Sequence, residues 1–256
     1  MNRRQLFAGA AIGATGSLVA ACDKATTDPK TVKHLSIAEQ WSKGAQRAII
    51  GRHALAPEFK QADISKVFKA NGTTNPLDDD YQALLASGFA GWRLVIDGLV
   101  ETPLSLTLDQ VRALPSRTQI TRHDCVEGWS SIGQWKGAKL SDLLDQVKLK
   151  PETRFLVFHC MDSLGAADPD PKKWKYYESI DLTDARHAQT ILAYEMNGRP
   201  LPVAHGAPLR LRVERQLGYK QAKYVQRIEA VASLRPFGGG AGGFWEDRGY
   251  EWYAGI

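Results

Sequence analysis

Cys125 is the residue whose neighbours most clearly suggest chemistry. It lies in the segment TRHDCVEGWSSIGQW, residues 121–135, two positions after His123 and three after Arg122. A thiolate is a soft metal ligand and a nucleophile, and adjacent cationic groups lower its pKa. The C-x-x-C spacing typical of zinc is missing around this cysteine, and no His and Met follow it as in blue-copper sites. Two interpretations stay open: a nucleophilic cysteine, and a metal ligand whose partners come from a cofactor.

The first 21 residues predict an export signal. Arg3 and Arg4 precede an apolar stretch, Leu6 to Ala21, that is shorter than the roughly 20 residues of a membrane-spanning helix. The arginine pair resembles a twin-arginine signal, which exports proteins that have already folded. The stretch ends in a pattern that resembles a lipobox, so we predict a lipid on Cys22. A plain Ala-x-Ala cleavage site is the alternative to the lipobox, and a retained membrane anchor is the alternative to a removed signal.

Residues 22–34 are polar and offer little to bury, so they predict a tether between the lipid and a folded body. Residues 35–256 are then long enough to form a single domain around one core. Together these features predict a periplasmic protein that is exported folded and anchored to a membrane by its lipid. Folded export is needed when a cofactor enters the protein before the chain crosses the membrane.

The charge of the chain argues against one class of partner. The formal net charge is +5, and the basic residues are spread evenly along the 256-residue sequence. Proteins that bind nucleic acid concentrate positive charge on one face. We therefore predict no nucleic-acid partner.

Apolar periodicity predicts many strands and few, short helices. The segments WRLVIDG, RFLVFHC and PLRLRVE alternate between two faces, as strands do, and Asn197-Gly198 is a strong hairpin signal. Thr107 and Gln110 form a capping box before the short helix LDQVRAL. The predicted fold class is α+β with a mixed β-sheet.

Three separated motifs, RHDCVEGWSSIGQWKGAKLSDLL, PVAHGAPLRLRV and LGYKQAKYVQRIEAV, carry a family resemblance. Together they resemble the molybdopterin-binding domain of the sulfite oxidase superfamily, in its bacterial exported branch, from about Asn71 to Leu234. The resemblance implies a molybdenum–molybdopterin cofactor, and it implies that Cys125 binds the molybdenum. The sequence pattern C-V-E-x-W-S is similar to that of the periplasmic methionine-sulfoxide reductase catalytic subunit.

The same resemblance implies which residues hold the pterin and its phosphate. His205 and Arg210 match one family segment, and a guanidinium group can grip phosphate oxygens in two places. Gly218 and Lys223 match a G-x-x-x-x-K motif that faces phosphate. Lys220, within that motif, is either a second phosphate contact or a surface residue.

Three further cofactor-binding residues are implied by the alignment: Asn71, Thr74 and Cys160. Asn71 and Thr74 fall where bacterial relatives place pterin contacts. Cys160 matches a small polar residue that contacts the pterin, and we expect it to be a packed thiol beside the cofactor rather than a second metal ligand.

Tyr176 and Arg122 are the other predicted catalytic residues. Tyr176 matches a family tyrosine near the metal-bound oxygen, and a phenol can hydrogen-bond an oxo group or an oxyanion. Arg122 is predicted to contact an anion. Sulfite oxidases place an arginine for sulfite where this chain has Ser130, which puts sulfite as the substrate in doubt.

We therefore expect a molybdopterin-dependent oxidoreductase that transfers an oxygen atom to or from a small substrate of the sulfoxide or sulfite type. Its electron partner is expected to be a c-type or a membrane b-type cytochrome, since the sequence has no C-x-x-C-H haem motif. Two alternatives stay open. One is a non-catalytic anion-binding lipoprotein with a Cys125–Cys160 disulfide, and the other is a cysteine hydrolase with His123 or His205 as base.

Overall fold

A computed structural model of the protein describes residues 41–49, 51, 53–165 and 175–256. The chain divides into two compact units, which meet in sequence between Gly51 and Arg52. The described part of the first unit is a helix over residues 41–49. The predicted signal, residues 1–21, and the predicted tether, residues 22–34, lie outside the described residues. Among the described helices, none combines the length and the apolar character that crossing a bilayer requires.

The described residues of the second unit form two β-sheets. The first sheet has the strand order β2-β1-β10-β5-β6, and the second has the order β3-β4-β7-β8 with β9 also paired to β7. β1 runs parallel to β10, and the other neighbouring strands are antiparallel. The strands are β1 Arg93–Gly98, β2 Leu104–Thr107, β3 Ser116–Asp124, β4 Ser130–Lys139, β5 Phe155–Ser163, β6 Lys175–Asp181, β7 Ile191–Met196, β8 Arg199–Pro200, β9 Arg210–Arg212 and β10 Val225–Val231.

Helices in this unit are short. The α-helices are Asp79–Ala86, Leu108–Ala113, Leu140–Val147 and Leu182–Ala185, and the 3-10 helices are Gln61–Asp63, Val203–His205, Gly218–Lys220 and Glu246–Arg248. The predicted α+β class with a mixed sheet is confirmed.

Local sequence signals account for several of these elements. The predicted capping box forms, because the Gln110 backbone N–H donates to the Thr107 hydroxyl while the Thr107 N–H donates to the Gln110 side chain. Asn197 and Gly198 both adopt positive φ, as a tight turn between β7 and β8 requires. Within helix Leu140–Val147, the four apolar residues at the spacing of one helical face are fully buried.

The two sheets supply different parts of one cleft. The loop between β3 and β4 carries Cys125, and it extends from the second sheet. β5 and β6 belong to the first sheet. Residues 213–224 run from β9 in the second sheet to β10 in the first, and so pass beside both. Groups far apart in sequence therefore meet at this cleft.

Candidate active site

Cys125 is held in the turn between β3 and β4. Its N–H donates to the Trp129 carbonyl at 2.9 Å, and its own carbonyl accepts from the Gly128 N–H at 3.0 Å. The turn places Gly128 at a φ of +84°, which favours glycine. The Cys125 side chain is only 7% exposed, and its Sγ accepts a weak hydrogen bond from Asn71 Nδ2 at 3.7 Å. A conformationally fixed turn therefore presents the thiol.

The thiol faces a cleft with an empty volume of about 750 Å³, which includes its open mouth. Six of the sequence-predicted residues line this cleft: Asn71, Cys125, Tyr176, Arg210, Gly218 and Lys223. They come from a loop, the β3–β4 turn, β6, β9 and the segment before β10. The structure thus brings together the predicted metal ligand and the two predicted phosphate-binding cations.

Arg210 is buried at the inner side of the cleft. Its Nη1 donates to the His205 carbonyl at 3.0 Å, and its guanidinium carbon lies 4.8 Å from the centre of the Trp135 ring. Its Nε is buried and has no hydrogen-bond partner among the described residues. Burial and the neighbouring Arg212 charge lower the pKa of Arg210 to about 9. An anion in the cleft would accept a hydrogen bond from Nε and would also stabilise the buried positive charge.

Lys223 adds a second cation. Its Nζ donates to the carbonyl oxygens of Asn71 at 2.7 Å and Ala204 at 3.2 Å, and also to that of Thr73. Burial, followed by the Arg210 charge, lowers the pKa of Lys223 to about 7. Within the described residues neither cation is bound directly to a carboxylate, and two desolvated cations of this kind form a site suited to phosphate.

Asp162 also lines the cleft, and sequence reasoning missed it. It is 3% exposed, and its Oδ1 has no hydrogen-bond partner within the described part of the chain. Burial raises the pKa of Asp162 to about 6, opposed by a hydrogen bond from Thr73 and by the Lys223 charge. Regular strand alternation would not have identified it, because the pairing of β5 with β6 is irregular between His159 and Ser163.

Four predicted site residues do not line this cleft. The Arg122 side chain is exposed and pairs with Asp124 at 2.8 Å, because alternation along β3 turns it away from the buried Thr121 and His123. Thr74 is exposed, whereas Thr73 lines the cleft.

The other two, Cys160 and His205, lie beside the cleft. Cys160 lines a second cavity, and burial raises the pKa of its thiol, so it stays protonated. The His205 ring packs edge-on against Phe68 with 5.5 Å between centroids. Burial lowers the pKa of His205 to about 4, with Arg210 and Lys223 adding to the shift, so the ring is neutral.

Tyr176 lines the cleft from β6. Its hydroxyl donates to the Tyr219 carbonyl at 2.5 Å, and its ring stacks on Phe244 with 5.6 Å between centroids. Burial, followed by the charges of Glu178 and Glu246, raises the pKa of Tyr176. The phenol therefore keeps its proton at neutral pH.

Lys220 has neither of the two predicted roles. It is fully buried, and its Nζ donates to Glu246 Oε1 at 2.5 Å and to Glu178. The side chain thus points away from the cleft that Tyr219 and Gln221 line. Gly218 is required for packing, since a Cβ there would lie 2.5 Å from His123 Nε2.

The geometry disfavours both alternatives to a metal site. Cys125 and Cys160 are free thiols, so the disulfide required by the lipoprotein alternative is not formed. His123 is held by Arg212, whose Nη1 lies 3.1 Å from Nδ1, and neither His123 nor His205 hydrogen-bonds Cys125 in the described structure. Among the described residues there is no group of three or more His, Cys, Asp or Glu side chains that could hold a metal.

Comparisons with known proteins agree with the motifs. The family model for the oxidoreductase molybdopterin binding domain matches residues 83–236. A putative protein-methionine-sulfoxide reductase subunit, YedZ1 from Azospira oryzae, is 35% identical over 240 residues, which cover 93% of this chain and 82% of that protein. The crystal structure of the sulfane dehydrogenase SoxCD from Paracoccus pantotrophus matches with 26% identity and a TM-score of 0.48, over 56% of this chain and 38% of that chain.

Proposed function

Because the chain belongs to the oxidoreductase molybdopterin binding domain family, within the sulfite oxidase superfamily, we propose that it reduces an organic sulfoxide by two-electron oxygen-atom transfer. The chain is an oxidoreductase, and its cofactor is molybdenum–molybdopterin. The choice of a sulfoxide is supported by the name of the Azospira oryzae relative. The observation that carries the proposal is the buried Cys125 thiol, which opens onto a cleft with Arg210 and Lys223.

The side chains of the cleft fit this cofactor. A cysteine thiolate is a suitable ligand for the metal, and the pterin supplies further sulfur ligands. The buried Arg210 Nε and Asp162 Oδ1 are a donor and an acceptor that have no partner among the described residues. A ligand with both an anionic phosphate and a polar ring would satisfy them, whereas leaving them without partners costs free energy.

Each residue of the cleft then has a separate task. Cys125 would hold the metal, and the Asn71 amide orients its Sγ. Arg210 and Lys223 would hold the phosphate through charge-assisted hydrogen bonds. When bound, the cofactor supplies a centre that exchanges two electrons and one oxygen atom with a substrate.

Protons must also reach the cleft. Reduction of a sulfoxide consumes two electrons and two protons, and it yields a thioether and water. Tyr176 keeps a proton on its hydroxyl inside the cleft, because burial prevents its ionisation. We assign Tyr176 the task of donating a hydrogen bond to the oxygen that leaves the substrate, which requires its hydroxyl to turn away from the Tyr219 carbonyl.

We also propose that electrons come from a separate c-type or membrane b-type cytochrome. The relative's description as a reductase subunit supports a second component. The predicted twin-arginine signal and the lipobox ending at Cys22 support a periplasmic enzyme held close to that membrane partner. Mass spectrometry of the mature N-terminus tests this, and a chain that begins after Ala21 without a lipid would contradict the anchor.

The reductase activity can be tested with holoenzyme from a molybdenum-replete host. Reduced viologen is mixed with a sulfoxide, and thioether formation is followed together with viologen oxidation. We expect two viologen radicals to be consumed for each thioether formed. Cys125→Ala should lose both the metal and the activity, while Cys160→Ala should keep the metal. Turnover of sulfite but of no sulfoxide would refute the proposed direction and substrate.

A further inference from the structure

One wall of the cleft is aromatic. Trp245 and Tyr250, from the C-terminal aromatic segment, residues 244–250, stack with 5.3 Å between ring centroids and an interplanar angle of 28°. Tyr219 meets Tyr250 edge-on at 5.2 Å. Tyr250 is 38% exposed and Val126 is 47% exposed, so these two residues lie at the mouth.

Charge is distributed unevenly between this wall and the inner side of the cleft. Among the described residues that line it, the cations are Arg210 and Lys223, and both are largely buried. The charged residue at the mouth is Glu127, which pairs with Lys69 at 3.5 Å and is 59% exposed. Because Lys69 compensates the Glu127 carboxylate, the mouth adds little net charge of its own, and an uncharged organic molecule meets aromatic rings there.

The aromatic wall is fixed before any ligand binds. The Tyr250 and Arg248 N–H groups both donate to the Trp245 carbonyl, at 3.1 and 2.9 Å, which closes a turn. Gly249 permits this turn with a φ of +97°. Glu246, in the same turn, is bound to Lys220 in the buried ion cluster with Glu178. The segment is thus tied to the strand that carries Tyr176.

From this geometry we propose that Trp245 and Tyr250 determine substrate specificity by binding the apolar arm of an organic sulfoxide while its S=O group faces Cys125. This inference rests on the proposed reductase function and adds the substrate class, which is a sulfoxide with an aryl or a long alkyl arm. Rigid aromatic side chains bury much area at little entropic cost, so they favour such arms over methyl groups. A free aryl or alkyl sulfoxide and a methionine sulfoxide flanked by apolar residues in a polypeptide both present this chemistry.

The test compares three substrates: dimethyl sulfoxide, methyl p-tolyl sulfoxide and a peptide that contains methionine sulfoxide. Holoenzymes of the wild type, Trp245→Ala, Tyr250→Ala and Trp245→Phe are assayed with reduced viologen. Leu77→Ala is the control, because Leu77 is an apolar residue of the same unit, is 74% exposed and is not among the described residues that line the cleft. Molybdenum content and thermal unfolding are measured for each protein.

We expect Trp245→Ala to raise KM for methyl p-tolyl sulfoxide by roughly tenfold or more, as loss of an apolar contact of this size predicts. The kcat for all substrates and the KM for dimethyl sulfoxide should change by less than about threefold, and Trp245→Phe should restore most of the loss. The KM for the peptide shows whether a methionine sulfoxide within a polypeptide binds the same aromatic wall.

Two results would overturn the inference while leaving the reductase function intact. One is an equal loss on all three substrates in both alanine variants with the metal content unchanged. The other is no change in KM for the tolyl compound in either variant. Tyr250→Ala removes a partly exposed side chain, so it remains informative if Trp245→Ala fails to fold. A wild-type enzyme that reduces none of the three sulfoxides would instead refute the proposed function.

Discussion

Lys223 should make the stability of the cofactor-free protein rise with pH. Burial lowers its pKa from 10.5 to about 7 in the folded chain, whereas the unfolded chain keeps the ordinary value. Between these two values the unfolded state binds more protons, so the free energy of unfolding increases as the pH rises. Below pH 7 both states are protonated, and this dependence disappears.

The magnitude follows from the width of that window. Each pH unit inside it changes the free energy of unfolding by at most about 1.4 kcal/mol. From pH 7 to 8.5, a single site of this kind contributes about 1 to 2 kcal/mol, once partial protonation at the lower end is included. This narrow range avoids Arg210, whose pKa is about 9, and the buried tyrosines, whose ionisation begins at higher pH.

Urea unfolding of cofactor-free wild type and Lys223→Met, measured at several pH values from 7 to 8.5, tests this expectation. The wild-type free energy of unfolding should rise across the range, and the variant should be flat. Lys150→Met is the control, because Lys150 is exposed. In the holoenzyme, an anion beside Lys223 stabilises its charged form, so the slope should be smaller. Equal slopes in wild type and Lys223→Met would refute the assignment of a desolvated ammonium group at this position.

Three other substitutions test separate parts of the site. Cys125→Ser should purify without molybdenum and unfold at nearly the wild-type urea concentration, because among the described residues the wild-type thiol makes one weak hydrogen bond. Metal analysis and a urea unfolding curve of the same sample check this. Arg210→Met should weaken cofactor retention by roughly 10- to 150-fold, the effect of losing charge-assisted hydrogen bonds worth about 1.5–3 kcal/mol, as measured by pterin release against time. Lys220→Met should destabilise the protein by about 3–5 kcal/mol by leaving two buried carboxyl groups without their cation. The solvent-accessible pair of Lys136 and Glu195 provides its control, since Lys136→Met should leave the urea midpoint nearly unchanged in the same assay.

The sequence alone determined the local features of the fold. Strand alternation located β1, β5 and β9, and the capping box located the start of helix Leu108–Ala113, because each depends on residues a few positions apart. Separated motifs determined the family and the cofactor, since they preserve residue types and order along the chain. The predicted positions of Cys125, Arg210 and Lys223 came from the same source, and the structure places all three at one cleft.

Tertiary structure decided which of the predicted side chains face one another. Alternation along a strand allows two orientations, and only the packing of β3 shows that Arg122 points outward while His123 is buried. Its position in the motif allowed Lys220 to be either a phosphate contact or a surface residue, whereas the structure buries it against carboxylates that lie 42 and 26 residues away in sequence. The aromatic wall at residues 244–250 could not be predicted from the sequence either. Its position in the same cleft as Cys125 depends on how the two sheets and a connecting segment pack, and the separation of residues along the chain does not determine that packing.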